Sequence, residues 1–486
     1  MRRWLTGLLG VVVLVGASSG AALAAPAGGG DGNGNLIGDG GGEGISYRDT
    51  IDFSIEDIQA FWTATLPEVF GIEYEDVSEI LPYDSESRPS DFNECTPAGA
   101  EYEDIKDNAQ YCLLDDTVTY DDESLFPRFY KELGPFAIAF ALAHEWGHAI
   151  QGRVAPEAFT GEIPSVYVEL QADCYAGAWS DWVDSGESDL LQLDPGDLEV
   201  GIGGLLEVRD PIGVDPTDES QIQPHGNGFD RVSAFQEGKD QGAARCADYF
   251  NTPPLVTELP FTSEEDLANE GNLPFADAID FGVQDLDLYW STVFDISELP
   301  YDGIGEVDSY NVKRKGTLPE CVALDLDPDR PKDYRGGVFY CPGEDFVAYD
   351  TAFLKAVHGE IGDFGAMLLG GNAWATGMQE DLGVEDDPAN LGLQADCFGG
   401  AWTGSIPVDL DGDAVGDFSS RGGDVVRESA ISLSPGDLDE VVISFVTFRD
   451  PTAEAESGVT AFERIQNFRT GFFSQTAETD CAAVAG

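Results

Sequence analysis

The sequence predicts an α+β chain, rich in helix and built from two tandem domains of one kind. Three observations predict this. The chain matches itself in constant order over most of its length. Each half holds two stretches of helical length that are largely apolar. A short β-rich run, DTVTYDD, precedes the first of them. With 486 residues, 42% hydrophobic and 11% aromatic, the chain has enough apolar material for two or three domains.

At the N-terminus Arg2 and Arg3 precede an apolar run from Leu5 to Val15, and small residues follow as far as Ala22-Leu23-Ala24. This is the layout of a secretory signal over residues 1–24, with cleavage expected after Ala24 and a secreted, extracellular product. The run is shorter than a bilayer span and no later stretch resembles one, so no membrane span is expected after cleavage. Residues 25–47 are dominated by glycine and read as a flexible linker. A calcium-binding glycine repeat is the alternative there, but it needs a regular period that is not visible.

Lys and Arg total 24 against 92 Asp and Glu, a formal charge of −68; loss of Arg2 and Arg3 leaves 22 against 92, or −70. Such a surface repels polyanions, so nucleic acid is excluded as a partner. The same repulsion predicts work at high ionic strength or with bound divalent cations.

The two halves match at a series of short segments. Phe61-Trp62 answers to Tyr289-Trp290, Tyr111-Cys112 to Tyr340-Cys341, and Tyr120-Asp121 to Tyr349-Asp350. LQADCYAGAW (Leu170 to Trp179) answers to LQADCFGGAW (Leu393 to Trp402), and the PGDL beginning at Pro195 to that beginning at Pro435. Arg209-Asp210-Pro211 answers to Arg449-Asp450-Pro451. The expected domains are 48–252 and 278–486, joined by a linker over 253–277. Each holds four cysteines, which in an exported chain are read as disulfides. The expected pairs are Cys95 with Cys112 and Cys174 with Cys246, and by the repeat Cys321 with Cys341 and Cys397 with Cys481.

In the first domain FAIAFALAHEWGHAIQ, Phe136 to Gln151, is apolar nearly all round and predicts a buried helix. His144 and His148 lie one turn apart on one face of it, where two neutral imidazoles can share one zinc. Glu145 beside them is placed to take a proton from a water on the metal. A catalytic zinc takes a third protein ligand. The second helix, about Val166 to Trp182, carries Glu169 and Asp173 on one face; Glu169 is the expected ligand, and Asp173 the acceptor for the outer ring N–H of a ligand histidine. Both would be costly to bury unless they ligate or pair. Position 154 is Val154, which excludes a three-histidine site on one segment.

The run AHEWGHAIQGR, then ELQADCYAGAW, then HGNGFDRVSAFQEG resembles the neutral zinc metallopeptidases of bacteria. The resemblance implies a zincin-like fold, one zinc ion on His144, His148 and Glu169, Glu145 as catalytic base, and a peptide or protein substrate. His225, in the loop IQPHGNG, either supports the oxyanion of the reaction or is a solvent-exposed loop histidine; both readings stand. His358 has no histidine at ligand spacing and is read as structural.

In the second domain Asn372, Ala373 and Thr376 stand where the first has His144, Glu145 and His148, and Gly392 stands for Glu169. Asp396 still answers to Asp173. The second copy is therefore expected to be a degenerate zincin-like repeat, a pseudo-enzyme without the metal site. Its DLDGDAVGD, Asp409 to Asp417, is read as an acidic surface loop; calcium is the weaker alternative, because Ser420 stands where an EF-hand loop closes on an acid. The function expected is that of an exported zinc metalloendopeptidase. The alternative is an extracellular binding or structural protein whose zinc is only structural.

Overall fold

Ser46 accepts the Asp49 N–H at 3.2 Å and starts helix α1 (Tyr47–Phe70), which ends at Gly71 in the left-handed region. In this computed structural model, residues 45–88, 92–194, 196–213, 225–257, 259, 261, 263–314, 316–384, 387–406, 429–448, 459–474 and 480–481 are described. The expected signal, nearly all of the expected glycine-rich linker and the Asp409–Asp417 stretch lie outside them. The chain divides into two units, Met1–Thr257 and Glu258–Gly486.

In the first unit α1 is followed by β1 (Glu79–Tyr83), α2 (Tyr102–Ile105), β2 (Ala109–Cys112) and β3 (Thr117–Asp121). The strands form one small mixed sheet in the order β1-β3-β2. β1 runs parallel to β3 with Glu79 opposite Thr117, and β2 antiparallel with Cys112 opposite Thr117. Every residue of β2 and β3 is buried. Among the described residues the helices α3 (Leu125–Glu132), α4 (Pro135–Val154), α5 (Ser165–Asp184), α6 (Asp197–Glu207), α7 (Gly228–Gln241) and α8 (Ala243–Ala247) follow.

Helix α4 is the centre of the unit. Pro135 sits in its first turn, where a missing N–H costs nothing, and all residues from Pro135 to Gln151 are buried. It packs against α1, α3, α5, α6 and β2. At Gly147 a Cβ would stand 2.8 Å from the Ala172 Cα, so glycine lets α4 and α5 approach closely enough for their polar residues to meet.

The second unit contains α9 (Glu264–Ala268), α10 (Phe275–Ile296), β4 (Glu306–Tyr310), β5 (Val338–Cys341), β6 (Phe346–Asp350), α11 (Thr351–Glu360), α12 (Asp363–Asp381), α13 (Pro388–Gly404), α14 (Asp437–Thr447) and α15 (Ala461–Phe473). Its sheet has the order β4-β6-β5, again one parallel and one antiparallel pairing. Trp402 donates its indole N–H to Asp285 at 2.8 Å, as Trp179 donates to Asp57 at 2.9 Å in the first unit.

Disulfides join Cys95 to Cys112, Cys174 to Cys246, Cys321 to Cys341 and Cys397 to Cys481, and no described cysteine is free. Among the described residues no helix is long and apolar enough to cross a membrane. Two core helices per half proved too few, because α1, α6 and α7, and likewise α10, α14 and α15, also bury one face. The expected linker 253–277 contains α9 and the start of α10.

Candidate metal centre

Helices α4 and α5 bring His144, His148 and Glu169 together. Their ligand atoms lie within 4.8 Å of one another, and all three side chains are buried. The two Nε2 atoms stand 3.1 Å apart; Glu169 Oε2 is 3.2 Å from His144 Nε2, and Oε1 is 3.6 Å from His148 Nε2. A tetrahedral zinc with bonds of about 2.0–2.2 Å spans edges of about 3.3–3.6 Å, so the set has the dimensions the ion needs.

The outer hydrogen bonds fix both tautomers. His144 Nδ1 lies 2.7 Å from Asp173 Oδ1, and a carboxylate only accepts, so Nδ1 carries the proton. His148 Nδ1 lies 2.8 Å from Gln151 Oε1. The Gln151 amide is oriented by its other end, where Nε2 donates to the Val168 carbonyl at 2.7 Å. Both Nε2 lone pairs therefore face inward, toward each other and toward Glu169. Two such acceptors at this distance come together around a shared positive charge, either a proton, which the raised pKa of His144 favours, or a metal ion.

Arg231, fully buried on α7, grips Asp173 with Nε at 2.8 Å and Nη2 at 2.9 Å. Burial opposes ionisation of Asp173, and Arg231 with His144 outweighs it, holding the carboxyl below its usual range. His144 is pushed up to about 10: burial opposes its charge, and Asp173 and Glu169 overcome the burial. Carboxylates that attract a proton so strongly attract any cation placed there.

Glu145 is fully buried, and burial raises its pKa. Its Oε2 accepts the Tyr111 N–H from β2 at 2.7 Å, whereas Oε1 is buried without a hydrogen-bond partner. One oxygen is thus held by the sheet and the other is left for something else.

His225 is tied to Asp210, through its own N–H at 2.8 Å and through Nδ1 at 3.3 Å. Burial lowers its pKa, but Glu169 and then Asp210 raise it above the ordinary value, so Glu169 and His225 act on each other electrostatically. His358 lies in the second unit, bonded by Nε2 to the Leu273 carbonyl at 2.7 Å and packed edge-on to Phe275.

Sequence reasoning missed Gln151 and Arg231. Gln151 sits three residues after His148 on the same helical face, and Gln379 recurs at its place in the second half. Arg231 is the sole arginine of HGNGFDRVSAFQEG.

The second unit keeps the outer frame. Arg464 grips Asp396 with two bonds of 2.8 Å, Asn372 Nδ2 donates to Asp396 at 2.8 Å, and Gln379 donates to the Leu391 carbonyl at 2.9 Å. Its Thr376 and Gly392 offer no imidazole or carboxylate.

The fold and the site define a helix-rich α+β protein with an HExxH helix whose two histidines meet Glu169. Residues 95–250 match the family described as "putative neutral zinc metallopeptidase". An uncharacterized protein of Mycobacterium tuberculosis (strain ATCC 25618 / H37Rv) is 28% identical over 179 residues, 33% of this chain and 59% of that protein. An uncharacterized protein of Escherichia coli (strain K12), YpfJ, is 32% identical over 157 residues, 28% of this chain and 52% of that protein. The chain thus spans less than two thirds of the length of the curated relatives it matches. No solved structure matches it.

Proposed function

We propose that this protein is an exported zinc-dependent peptidase whose first domain is catalytic and whose second is a degenerate copy of it. His144, His148 and Glu169 hold the zinc, with Asp173 and Gln151 fixing the tautomers of the two histidines. When bound, zinc supplies a Lewis acid that polarises a scissile carbonyl and acidifies water. The protein's part of the chemistry falls to Glu145: its unpartnered Oε1 accepts the proton of the attacking water and returns it to the leaving amine. His225, held by Asp210 and near Glu169 in the electrostatic sense, is assigned to the developing oxyanion. The N-terminal signal and the four disulfides support export. The shared element order, the matching Trp–Asp bonds and the matching Arg–Asp pairs support duplication.

The carrying observation is the buried Glu145 oxygen without a partner beside the two histidines and Glu169. A purely structural zinc site needs no base there. One observation favours that second reading: His144, Glu145, His148 and Glu169 are exposed by only 1%, 0%, 0% and 2%, as in a closed site. Metal content and digestion of an unfolded protein substrate separate the two. We expect one zinc per chain in the wild type and in Glu145→Gln, and none in His148→Ala. We also expect cleavage that a chelator stops and that Glu145→Gln lowers by about 100-fold or more. Zinc without cleavage establishes the structural reading.

A further inference from the structure

In the second unit the first turns of α12 and α14 bring three acids together. Asp363 is the first residue of α12; Asp437 and Glu440 lie in the first turn of α14. The three are exposed by only 3%, 3% and 4%, and each offers an oxygen within 4.8 Å of the others.

Backbone groups occupy one oxygen of each. Asp363 Oδ2 accepts the Leu273 N–H at 2.9 Å and Asp437 Oδ2 the Ser434 N–H at 2.7 Å. Glu440 Oε2 accepts the N–H of Phe364 at 2.8 Å and of Gly365 at 3.2 Å. These bonds anchor the carboxylates without neutralising them, and Asp363 Oδ1 is left buried with no hydrogen-bond partner. Burial raises the pKa of all three, and their mutual repulsion adds to it, so a buried oxygen of this kind in a cluster of carboxylates is neutralised either by protons or by a cation. The neighbouring charges do not supply enough: Asp266 and Asp439 add to the repulsion, and His358 opposes it.

The first unit shows what the same turns look like without the cluster. Gly196 and Gly436 both have φ near 100°, and Asp197 and Asp437 accept the same kind of backbone bond three residues back. Pro135 stands where the second unit has Asp363, and Val200 where it has Glu440. Asp197, whose Oδ1 is likewise buried without a partner, lacks those two neighbours; burial, with Asp194 and Glu199 adding to it, pushes it up to about 7, so a single proton neutralises it. In the second unit the two added acids converge on one point. Gly362 makes room for them: a Cβ there would stand 1.8 Å from Glu440 Oε1.

We propose that Asp363, Asp437 and Glu440 hold a divalent cation of the hard, oxygen-ligated class, calcium, which joins the N-termini of α12 and α14. All-carboxylate ligation suits this class. The site is separate from the residues of the proposed zinc centre, so its failure leaves the peptidase reading untouched.

The test uses the full mature chain, loaded with zinc, in calcium-free buffer at physiological ionic strength, titrated with calcium chloride alone in a calorimeter. We expect one saturable calcium per chain above the weak binding of the acidic surface, and a rise in the unfolding temperature on its addition. The Asp363→Asn/Glu440→Gln double variant keeps every backbone acceptor. It is expected to bind at least about 100-fold more weakly at this site, with an unfolding temperature that calcium no longer raises. Without calcium it unfolds at or above the temperature of the calcium-free wild type, since a repulsion has been removed; this also shows that it folds. Asp411→Asn, in the other acidic stretch, leaves the binding unchanged. Calcium bound equally by the double variant, binding lost in Asp411→Asn instead, a response to magnesium only, or no stoichiometric calcium in the wild type would each overturn the proposal.

Discussion

Gln151 and Arg231 show how single side chains outside the motif set the chemistry of those within it. Without the Gln151 carbonyl, His148 could present either ring nitrogen inward; without Arg231, Asp173 would be a buried charge balanced by His144 alone. Asp197 is a different case, because no cation among the described residues acts on its carboxyl. Burial raises its pKa from 3.8 to about 7, so between these values the folded chain keeps a proton that the unfolded chain releases. Stability from this residue is therefore full below pH 4, falls as pH rises towards 7, and is lost above it. Asp197→Asn retains an acceptor for the Asp194 N–H. In urea titrations it should match the wild type at pH 4 and exceed it by about 2–4 kcal/mol at pH 8. Equal stabilities at pH 8 would show that the carboxyl is not held in its protonated form.

Among elements, the tightest packing is that of α5 on α7 and of α13 on α15. A Cβ at Gly238 would stand 1.8 Å from the Cys174 carbonyl oxygen, and one at Gly471 1.8 Å from that of Cys397. These contacts are with backbone, which cannot turn aside as a side chain can. Gly238→Ala must separate α5 from α7 and with it Asp173 from Arg231; a loss of about 3 kcal/mol or more in urea unfolding is expected. Gly204 offers the opposite sign. It lies inside α6, its Cβ would meet the Ala137 Cβ at an ordinary 3.8 Å, and Gly204→Ala should stabilise by about 0.5–1 kcal/mol. A loss at Gly204 would mean that α6 has no space for a methyl group. The position of α4 was readable from the sequence because Phe136 to Gln151 is apolar nearly all round, with no breaker except Gly147. The glycine contacts were not, since the same residue type also serves turns and linkers.

Across the whole molecule, the excess of negative charge makes stability depend on salt. An excess of 68 acidic groups repels itself wherever counter-ions are few, and compaction increases that repulsion. Raising salt from about 0.05 to 1 M shortens the screening length from over 10 Å to about 3 Å, so the unfolding temperature should rise by several degrees. An unfolding temperature that is flat or falling over this range would mean that the acids are already compensated by bound cations or by one another.

By itself the sequence determined the helix carrying His144, Glu145 and His148, the second helix carrying Glu169 and Asp173, the likeness of the two halves and the pairing of their cysteines. The two helices are carried by spacing along the chain, where helical geometry turns a spacing of four into one face, and the likeness of the halves and the cysteine pairs by the internal self-match. Only the tertiary structure decided that Gln151 and Arg231 complete the frame around the histidines, that Glu145 keeps one oxygen unpartnered, and that Asp363 meets Asp437 and Glu440. Each of these depends on where a distant segment crosses α4 or α12, from Tyr111 to Arg231 in one unit and from Leu273 to Glu440 in the other. That crossing follows from the packing of whole helices on small sheets, which no local pattern of residues encodes.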